Sequence, residues 1–269
     1  MNPTPSDRLL AFWFRRNWRG FHLLLRAHRR LTGRSTLRVR SAYGSLFELP
    51  PHDYIPAHVL REGYYESEVL EALRTYLGSG AVLWDVGTNL GLHAVTAKVL
   101  SPITTVVAFE PNPAMVVEIR RHAKLNSVDL RLASMALGAC DETRPLHIVG
   151  AGNPGMSTLH PWSEARYDTV TTVECARGDT LIARGLQPAP TVIKLDVEGG
   201  EADVLAGLPG VLSSLTLRAV VFEGAANLDD TSAAHPVAGP LLRAGFRLSP
   251  LFRREATNHN LGNYLAARD

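Results

Sequence analysis

The stretch 82-VLWDVGTNLGLHAVTAKVL-100 joins an apolar run, a turn with two glycines and a second apolar run that has helical spacing. Its first three residues are typical of a buried strand in a parallel sheet. Gly87 and Gly91 allow the backbone to turn sharply and to approach another group closely. Strand, glycine turn and helix together are how α/β folds present backbone N–H groups to a ligand. A plain strand-to-helix connection without a ligand is the alternative.

The same alternation continues along the chain from residue 81 onward. We predict strands at 81–86, 104–110, 129–133, 191–196 and 217–223, and helices near 91–100, 113–126, 178–184, 201–207 and 236–244. Two further strands, 246–252 and 262–269, are predicted to close the chain, and a β excursion with strands at 144–150 and 168–175 interrupts the alternation. This order predicts an α/β fold with a doubly wound, Rossmann-like, mostly parallel sheet.

The N-terminal segment is strongly basic. Residues 1–40 contain ten arginines and one acid, Asp7. Residues 8–31 predict one or two amphipathic helices. Basic helices of this kind lie on anionic lipid or nucleic acid in some proteins. The favoured interpretation is a helix that packs on the core and keeps its arginines in water.

A β-hairpin is predicted next, over residues 35–50, with its turn near Tyr43 and Gly44. We therefore divide the chain into an N-terminal extension, 1–60, made of the basic helical segment and this hairpin, and a main domain, 61–269.

Composition limits the class of protein. The chain has 269 residues, 45% of them hydrophobic and 20% charged, which is enough to bury a full core. No run approaches the roughly 18 apolar residues of a membrane span, and the N-terminus lacks the layout of a signal peptide. Cys140 and Cys175 give neither a disulfide framework nor zinc-ligand spacing. We therefore expect a protein of the reducing cytoplasm without a transmembrane segment.

The glycine turn does not match the fingerprints that bind phosphate. A dinucleotide fingerprint needs three glycines, whereas Asn89 and Leu92 occupy its second and third positions, and no Walker lysine follows. Asp85, a carboxylate at the strand end, suits a ligand with an ammonium group, and S-adenosylmethionine has such a group and no phosphate. Glu110, nineteen residues after Gly91 at the end of the next predicted strand, is placed to accept both ribose hydroxyls.

Four blocks together resemble the FkbM family of S-adenosylmethionine-dependent methyltransferases: WDVGTNLG at 84–91, AFEPNP at 108–113, KLN at 124–126 and IKLDVEGGEADVLAGL at 193–208. The resemblance implies a class I methyltransferase sheet with a terminal antiparallel strand and S-adenosylmethionine as the cofactor. It also implies O-methylation of a hydroxyl on a sugar or a polyketide-type natural product. Thr88 stands where the family more often has alanine, and Gly200 where it often has a bulkier residue.

The resemblance assigns cofactor contacts to single residues. These are Asp85, Gly87, Asn89, Gly91, Glu110, Pro111, Asn112, Met135 and Glu66. The first four form the turn, Glu110 holds the ribose, Pro111 and Asn112 line the adenine, and Met135 brackets its edge. Glu66 is implied as a contact for the methionine end; the alternative is an acid at a helix N-terminus that the helix dipole favours.

Chemistry is predicted at the end of the fourth main strand, where open α/β sheets place ligands. Asp196 and Glu198 lie there, and Glu223 ends the next strand. Methyl transfer to a hydroxyl requires removal of its proton, and a carboxylate whose pKa is raised by burial and like charges can accept it. We predict catalytic roles for these three acids and a Lys194–Asp196 pair on one strand face. Capping of the next helix by Asp196 or Glu201 is the alternative.

The sequence does not identify the methyl acceptor, and a small molecule that bears a hydroxyl is favoured. Nucleic acid is disfavoured, because amino-methyltransferases of nucleic acids have an Asn/Asp-Pro-Pro-aromatic block where this chain has Asp-Val-Glu-Gly. The alternative functions are methylation of RNA or of a peptide, and a non-catalytic binding module. A homo-oligomeric assembly also stays open. No metal ligand is assigned, although Mg²⁺ between Asp196 and Glu223 is an alternative. We expect the N-terminal segment and the loops 150–165 and 224–236 to select the acceptor.

Overall fold

The computed structural model describes residues 2–17, 19–149, 154–163, 165–225, 228–229, 231–251 and 261–268. Within these residues the helices are α1 (Pro5–Arg15), α2 (Phe21–Thr32), α3 (Tyr54–Glu62), α4 (Ser67–Arg74), α5 (Leu92–Leu100), α6 (Pro113–Asn126), α7 (Gly178–Ala183), α8 (Glu201–Ala206), α9 (Pro209–Ser213) and α10 (Ala238–Arg243). The strands are β1 (Leu37–Arg40), β2 (Leu46–Leu49), β3 (Val82–Val86), β4 (Thr105–Phe109), β5 (Arg131–Ala133), β6 (Ala136–Leu137), β7 (Glu142–Ile148), β8 (Thr169–Ala176), β9 (Val192–Leu195), β10 (Ala219–Ala225), β11 (Arg247–Leu251) and β12 (Leu261–Ala267). Parts of the two loops expected to select the acceptor, 150–153, 164, 226–227 and 230, lie outside the described residues, as do residues 252 and 269 of the two closing strands.

The main sheet has the order β11-β12-β10-β9-β3-β4-β5. Strands β9, β10, β3, β4 and β5 pair in parallel, and β12 runs antiparallel to both β10 and β11. The predicted doubly wound, mostly parallel sheet with a terminal antiparallel strand is therefore confirmed. The chain builds outward from β3 in one direction and from β9 in the other. This reversal between β3 and β9 is where such sheets bind ligands.

The sheet is covered on both faces because neighbouring residues of each strand point to opposite sides. Trp84, Phe109 and Ile193 belong to a buried cluster on one face, together with apolar side chains of α8, α9 and α10. Leu83 and Val106 belong to a second cluster on the other face, which includes apolar side chains of α4 and α5. Burial on both faces explains why the central strands are continuous apolar runs rather than alternating ones.

The β excursion forms a small sheet of its own, in the order β6-β8-β7. β7 and β8 pair antiparallel along their length, and they overlap the two strands predicted for this excursion. β6 pairs in parallel with the end of β8, through Ala136 with Cys175 and Leu137 with Ala176. The excursion therefore leaves the main domain and returns to it at one narrow neck.

The basic helices α1 and α2 pack on the hairpin β1–β2 and on α3. Leu10, Phe21, Leu37, Val39 and Leu60 form the buried cluster that joins them. This packing agrees with the favoured interpretation of the basic segment. The division at residue 60 stays a prediction, and α3 spans it.

A buried acid fixes the two N-terminal helices. Asp7 is fully buried, and its carboxylate accepts hydrogen bonds from the backbone N–H groups of Thr4 and Arg38 and from the Arg34 guanidinium. Burial alone would raise the pKa of Asp7, but these hydrogen bonds outweigh it and hold the pKa below its ordinary value. The single acid of residues 1–40 therefore serves structure.

Two short helices, α3 and α9, were not predicted. No helix among the described residues has the length and the apolar character that crossing a bilayer requires.

Candidate active site

The turn between β3 and α5 places three residues in the left-handed backbone region. The φ angles are +80° at Gly87, +52° at Asn89 and +79° at Gly91. Glycine adopts this region without cost, and asparagine tolerates it better than most side chains do. The N–H groups of Gly87 and Thr88 both donate to the carbonyl oxygen of Phe109, at 3.1 Å. The turn therefore folds over the carboxyl ends of β3 and β4.

Glu110 ties this turn to the start of α6. Its two carboxylate oxygens accept hydrogen bonds from the backbone N–H groups of Asn89, at 2.7 Å, and Asn112, at 2.8 Å. The Asn112 side chain in turn accepts from the N–H of Ala114 and caps α6. Burial raises the pKa of Glu110 to about 7, although the two hydrogen bonds oppose the rise.

Asp85 carries a buried carboxylate that the described part of the chain leaves without a hydrogen-bond donor. The side chain is fully buried, and neither of its oxygens has a hydrogen-bond partner. The Lys194 ammonium lies 3.8 Å from Asp85 Oδ1. Asn89 Oδ1 is also buried without a hydrogen-bond partner among the described residues. Because buried polar atoms are seldom left unpaired, these oxygens fit a ligand that donates hydrogen bonds, such as an ammonium group.

Lys194 is buried between the glycine turn and the end of β9. Its ammonium donates to Asp196 Oδ2 at 2.9 Å and to the carbonyl oxygen of Gly87 at 3.3 Å. The predicted Lys194–Asp196 pair is therefore confirmed. Burial alone would lower the pKa of Lys194, but the carboxylates of Asp196 and Asp85 outweigh it and raise the pKa. Lys194 stays protonated and cannot act as a base.

The chain turns sharply after β9. Glu198 adopts a left-handed conformation with φ +56°, which is uncommon for a side chain without special turn propensity. Glu201 Oε1 accepts hydrogen bonds from the N–H groups of Val197 and Gly199, and the Thr158 hydroxyl donates to the Glu198 carbonyl oxygen. Glu201 therefore holds the turn, but the proposed capping of the next helix by Asp196 or Glu201 is wrong, because no side chain caps the start of α8.

This turn places the Glu198 carboxyl in an acidic environment. Burial raises the pKa of Glu198 to about 8, and the charges of Asp196 and Glu223 add to the rise. A carboxyl group that titrates near neutral pH is suited to accept a proton during turnover.

A cavity of about 60 Å³, partly open to solvent, lies at this edge of the sheet. The predicted site residues that line it are Gly87, Asn89, Glu110, Pro111, Met135, Asp196 and Glu198. Its apolar wall includes Phe109, Met115 and Leu137. Three predicted cofactor residues lie behind this lining: Asp85 is fully buried, Asn112 is turned to the N-terminus of α6, and Gly91 faces Ile119.

Glu66 and Glu223 line a second, much smaller cavity, too narrow to hold a water molecule, together with Lys194, Asp196 and Asn263. The Asn263 amide donates to Glu66 Oε1 at 3.3 Å. Glu66 precedes α4 with φ +53°, and its Oε2 lies 3.7 Å from His93 Nε2. Asp196 lines both cavities, so it connects the two groups of predicted residues.

The described part of the loop after β7 forms an outer wall of the site. This loop was predicted to select the acceptor, but none of its residues was predicted individually. His160 lies against Gly200, where an added Cβ would stand 3.2 Å from the imidazole. His160 Nε2 and Arg144 Nη1 both lie close to Asp203 Oδ2, at 3.2 and 3.1 Å. Trp162 is partly exposed, and its indole faces Gly199. The absence of a bulky residue at position 200 therefore makes room for this loop.

Among the described residues, no group of three or more His, Cys, Asp or Glu side chains is placed to hold a metal ion.

Comparisons with known proteins show what the chain is similar to. The sequence profile described as the methyltransferase FkbM domain matches residues 85–248. The chain is 32% identical over 167 residues to the hexuronic acid methyltransferase AglP of Haloferax volcanii, which is 61% of this chain and 64% of that protein. It is 30% identical over 142 residues to methyltransferase 1 of Beauveria bassiana, which is 46% of this chain and 57% of that protein. The chain thus covers less than two thirds of each relative.

Among solved structures, the precorrin-6y C5,15-methyltransferase of Geobacter metallireducens has a TM-score of 0.46 and 16% identity, over 76% of this chain and 88% of that one. The matched profile spans more than half of the chain and includes the glycine turn, Glu110 and the acidic turn after β9. The chain belongs to the FkbM methyltransferase family.

Proposed function

We propose that this protein transfers a methyl group from S-adenosylmethionine to a hydroxyl group of a small molecule. The observation that carries the proposal is that one cavity is lined both by the glycine turn with Glu110 and by the carboxylates of Asp196 and Glu198. The first group suits a nucleoside, and the second suits the removal of a proton. Transfer between two bound molecules needs both groups at one place.

The residues at the turn fit the proposed cofactor. The Glu110 carboxylate suits two ribose hydroxyls, and the unpaired oxygens of Asp85 suit the ammonium of the amino-acid tail. The apolar wall with Pro111 and Met135 suits the adenine ring. Glu66, in the neighbouring cavity with Asn263, is proposed to lie at the methionine end. When bound, S-adenosylmethionine would supply a methyl group on a sulfonium sulfur.

The chain's own contribution to the chemistry is then to orient a hydroxyl and accept its proton. We assign the proton to a carboxylate oxygen of Glu198 or Asp196, with Glu223 as a neighbour whose charge raises the proton affinity of Glu198. Lys194 holds Asp196 in place through the 2.9 Å hydrogen bond. The close packing of the turn against the 158–162 loop limits the access of water.

A sugar is the preferred acceptor class in this proposal. One relative is named for hexuronic acid. The outer wall adds a partly exposed indole, Trp162, and the cationic side chain of Arg144 next to His160. An apolar ring face with polar groups beside it suits a sugar that carries many hydroxyls. A polyketide-type hydroxyl is the second choice.

The test is transfer of labelled methyl from S-adenosylmethionine by the full-length protein to a panel of sugars, uronic acids, macrolides, peptides and RNA. We expect label in a sugar or macrolide, in a product that resists alkali as an ether does. An alkali-labile methyl ester on a uronic acid would overturn the hydroxyl assignment, and label only in RNA or peptide would overturn the acceptor class. Cofactor binding by calorimetry without transfer to any member would favour a binding module.

We also propose that the protein works in a reducing compartment, the cytoplasm. Cys140 is an exposed free thiol, and such thiols persist where glutathione and thioredoxin keep them reduced. Fractionation of cells that produce the native protein tests this placement.

A further inference from the structure

The N-terminal helices α1 and α2 present apolar side chains to solvent. Leu9 is 52% exposed, Phe12 46%, Leu23 56% and Leu31 83%. Each helix already buries its opposite side, with Leu10 of α1 and Phe21 of α2 in the shared cluster. The fold of the described residues therefore leaves these four apolar side chains in contact with solvent.

Arginines surround these apolar side chains. Arg8 and Arg16 lie on the exposed side of α1, and Arg26 and Arg30 on the exposed side of α2. No ion pair of these four with an acid exists among the described residues. The Arg16 guanidinium lies 3.7 Å from the Phe12 ring centre, so charge and apolar surface are in direct contact.

The two acids nearest to these helices in sequence do not neutralise their exposed arginines. Between Asp7 and Glu48 the sequence contains no acid. Asp7 is buried and pairs with Arg34, and Glu48 pairs with Arg34 and Arg38. The exposed charges on α1 and α2 themselves are therefore positive.

Beside α1, a groove open to solvent adds further cations. Arg8, Arg15 and Arg40 line it, together with Phe12 and with Arg38, whose guanidinium is already paired with Glu48. Guanidinium groups recognise phosphate oxygens through pairs of N–H donors. The groove is thus suited to phosphate groups presented from outside the protein.

We propose that α1 and α2 dock the protein on an anionic lipid surface. Exposed leucines and phenylalanine would enter the boundary between headgroups and acyl chains, and the surrounding arginines would lie among the phosphates. A nucleic acid would satisfy the arginines, but its backbone gains nothing from Leu9, Leu23 or Leu31. The combination of the two kinds of side chain favours lipid. Docking on a lipid surface differs from spanning the bilayer. This proposal adds to the proposed function and does not depend on it.

The experiment is flotation of the full-length protein with vesicles of phosphatidylcholine alone, or of phosphatidylcholine and phosphatidylglycerol in equal parts. We expect binding to the anionic vesicles that weakens as salt is added. The double variant Arg26→Glu/Arg30→Glu should weaken binding at least tenfold. The apolar variant Leu9→Ser/Leu23→Ser should weaken it several-fold at unchanged net charge.

The matched control is Arg120→Glu/Arg247→Glu, which changes the net charge equally at exposed positions of α6 and β11. It should bind anionic vesicles like the unmodified protein. Equal losses in both charge variants, or no binding to anionic vesicles at all, would overturn the proposal. Binding of an RNA oligonucleotide that exceeds vesicle binding and is insensitive to Leu9→Ser/Leu23→Ser would assign the surface to nucleic acid instead.

Discussion

Gly87 and Asp196 are in contact through their backbones. A Cβ atom added to Gly87 would stand 1.7 Å from the carbonyl oxygen of Asp196, a distance that no pair of non-bonded atoms tolerates. The cofactor turn after β3 and the acidic turn after β9 therefore pack backbone to backbone. This close approach brings the proposed cofactor residues and the proposed base to one cavity.

Gly87→Ala should consequently destabilise the protein more than Gly91→Ala. Both glycines have φ near +80°, so both variants pay about 1–2 kcal/mol for a left-handed alanine. Gly87→Ala adds overpacking of about 1–3 kcal/mol, whereas the new Cβ at Gly91 meets the side chains of Ile119 and Val95 at ordinary contact distances of 3.4 and 3.5 Å. Urea unfolding measures the difference, and equal free energies of unfolding for the two variants would contradict the contact.

Asp85→Ala and Glu110→Ala should each weaken S-adenosylmethionine binding at least tenfold. Each substitution removes a carboxylate that is proposed to accept hydrogen bonds from the cofactor. Hydrogen bonds to a charged group contribute about 1.5–3 kcal/mol. Calorimetric titration of the purified variants measures the affinity. Asp129→Ala, an exposed acid before β5, is the control and should bind like the unmodified protein. Unchanged affinity in both site variants would remove the cofactor assignment.

Glu198→Gln and Asp196→Asn should keep cofactor affinity within a few-fold, and at least one should lose roughly 10²-fold in turnover. Glu201→Gln is the matched control, because a glutamine oxygen can still accept the two N–H groups of the turn. If Glu198 is the base, turnover should rise with pH until about 8, its raised pKa. If both variants turn over at the original rate, the base is elsewhere.

The raised pKa of Glu198 also predicts how stability depends on pH. Between its ordinary pKa of 4.5 and its folded value of about 8, the folded protein holds this proton more tightly than the unfolded chain does. The titration of Glu198 therefore lowers the free energy of unfolding as pH rises through that window. Glu198→Gln should make the loss of stability shallower between about pH 5 and 8, as measured by urea midpoints. Glu71→Gln, an exposed acid of α4, should leave the slope unchanged.

Lys194→Met should destabilise the protein strongly. The substitution leaves the buried Asp85 carboxylate and the neighbouring Asp196 without their shared counter-charge, and breaking a buried ion pair costs about 3–5 kcal/mol. Thermal unfolding measures the loss. Adding Asp85→Asn to Lys194→Met should restore part of the stability, and a double variant no more stable than Lys194→Met alone would contradict the coupling.

The sheet could be predicted from the sequence because its central strands are continuous apolar runs, and the helices between them have a different spacing of apolar residues. Helix α9 could not, since five residues are too few to show a periodic pattern. Helix α3 contains Pro56 near its start and a mixed set of side chains, which weakens the same signal. Both helices were missed because such short elements are stabilised by packing rather than by a pattern that the sequence shows.

The candidate site was predictable where its residues follow the strands directly. Asp85, Glu110 and Asp196 lie at strand ends, so their position along the chain fixes their place on the sheet. Asn263 is 197 residues from Glu66 in sequence, and only tertiary packing brings their side chains together. The same holds for Trp162 and His160, which reach the acidic turn from a loop of the β excursion.

The neck of the β excursion has a consequence for how members of such a family diverge. Ala136 and Leu137 enter beside Cys175 and Ala176, which leave, so the two covalent connections of the excursion lie side by side. The excursion is also tied to the acidic turn, through the Thr158 hydroxyl on the Glu198 carbonyl oxygen and through Arg144 beside Asp203. We expect that exchange of residues 138–174 between relatives, with Arg144 and Thr158 retained, changes acceptor selectivity and leaves the strand register of the main sheet intact, which assays of methyl transfer and of cofactor affinity check.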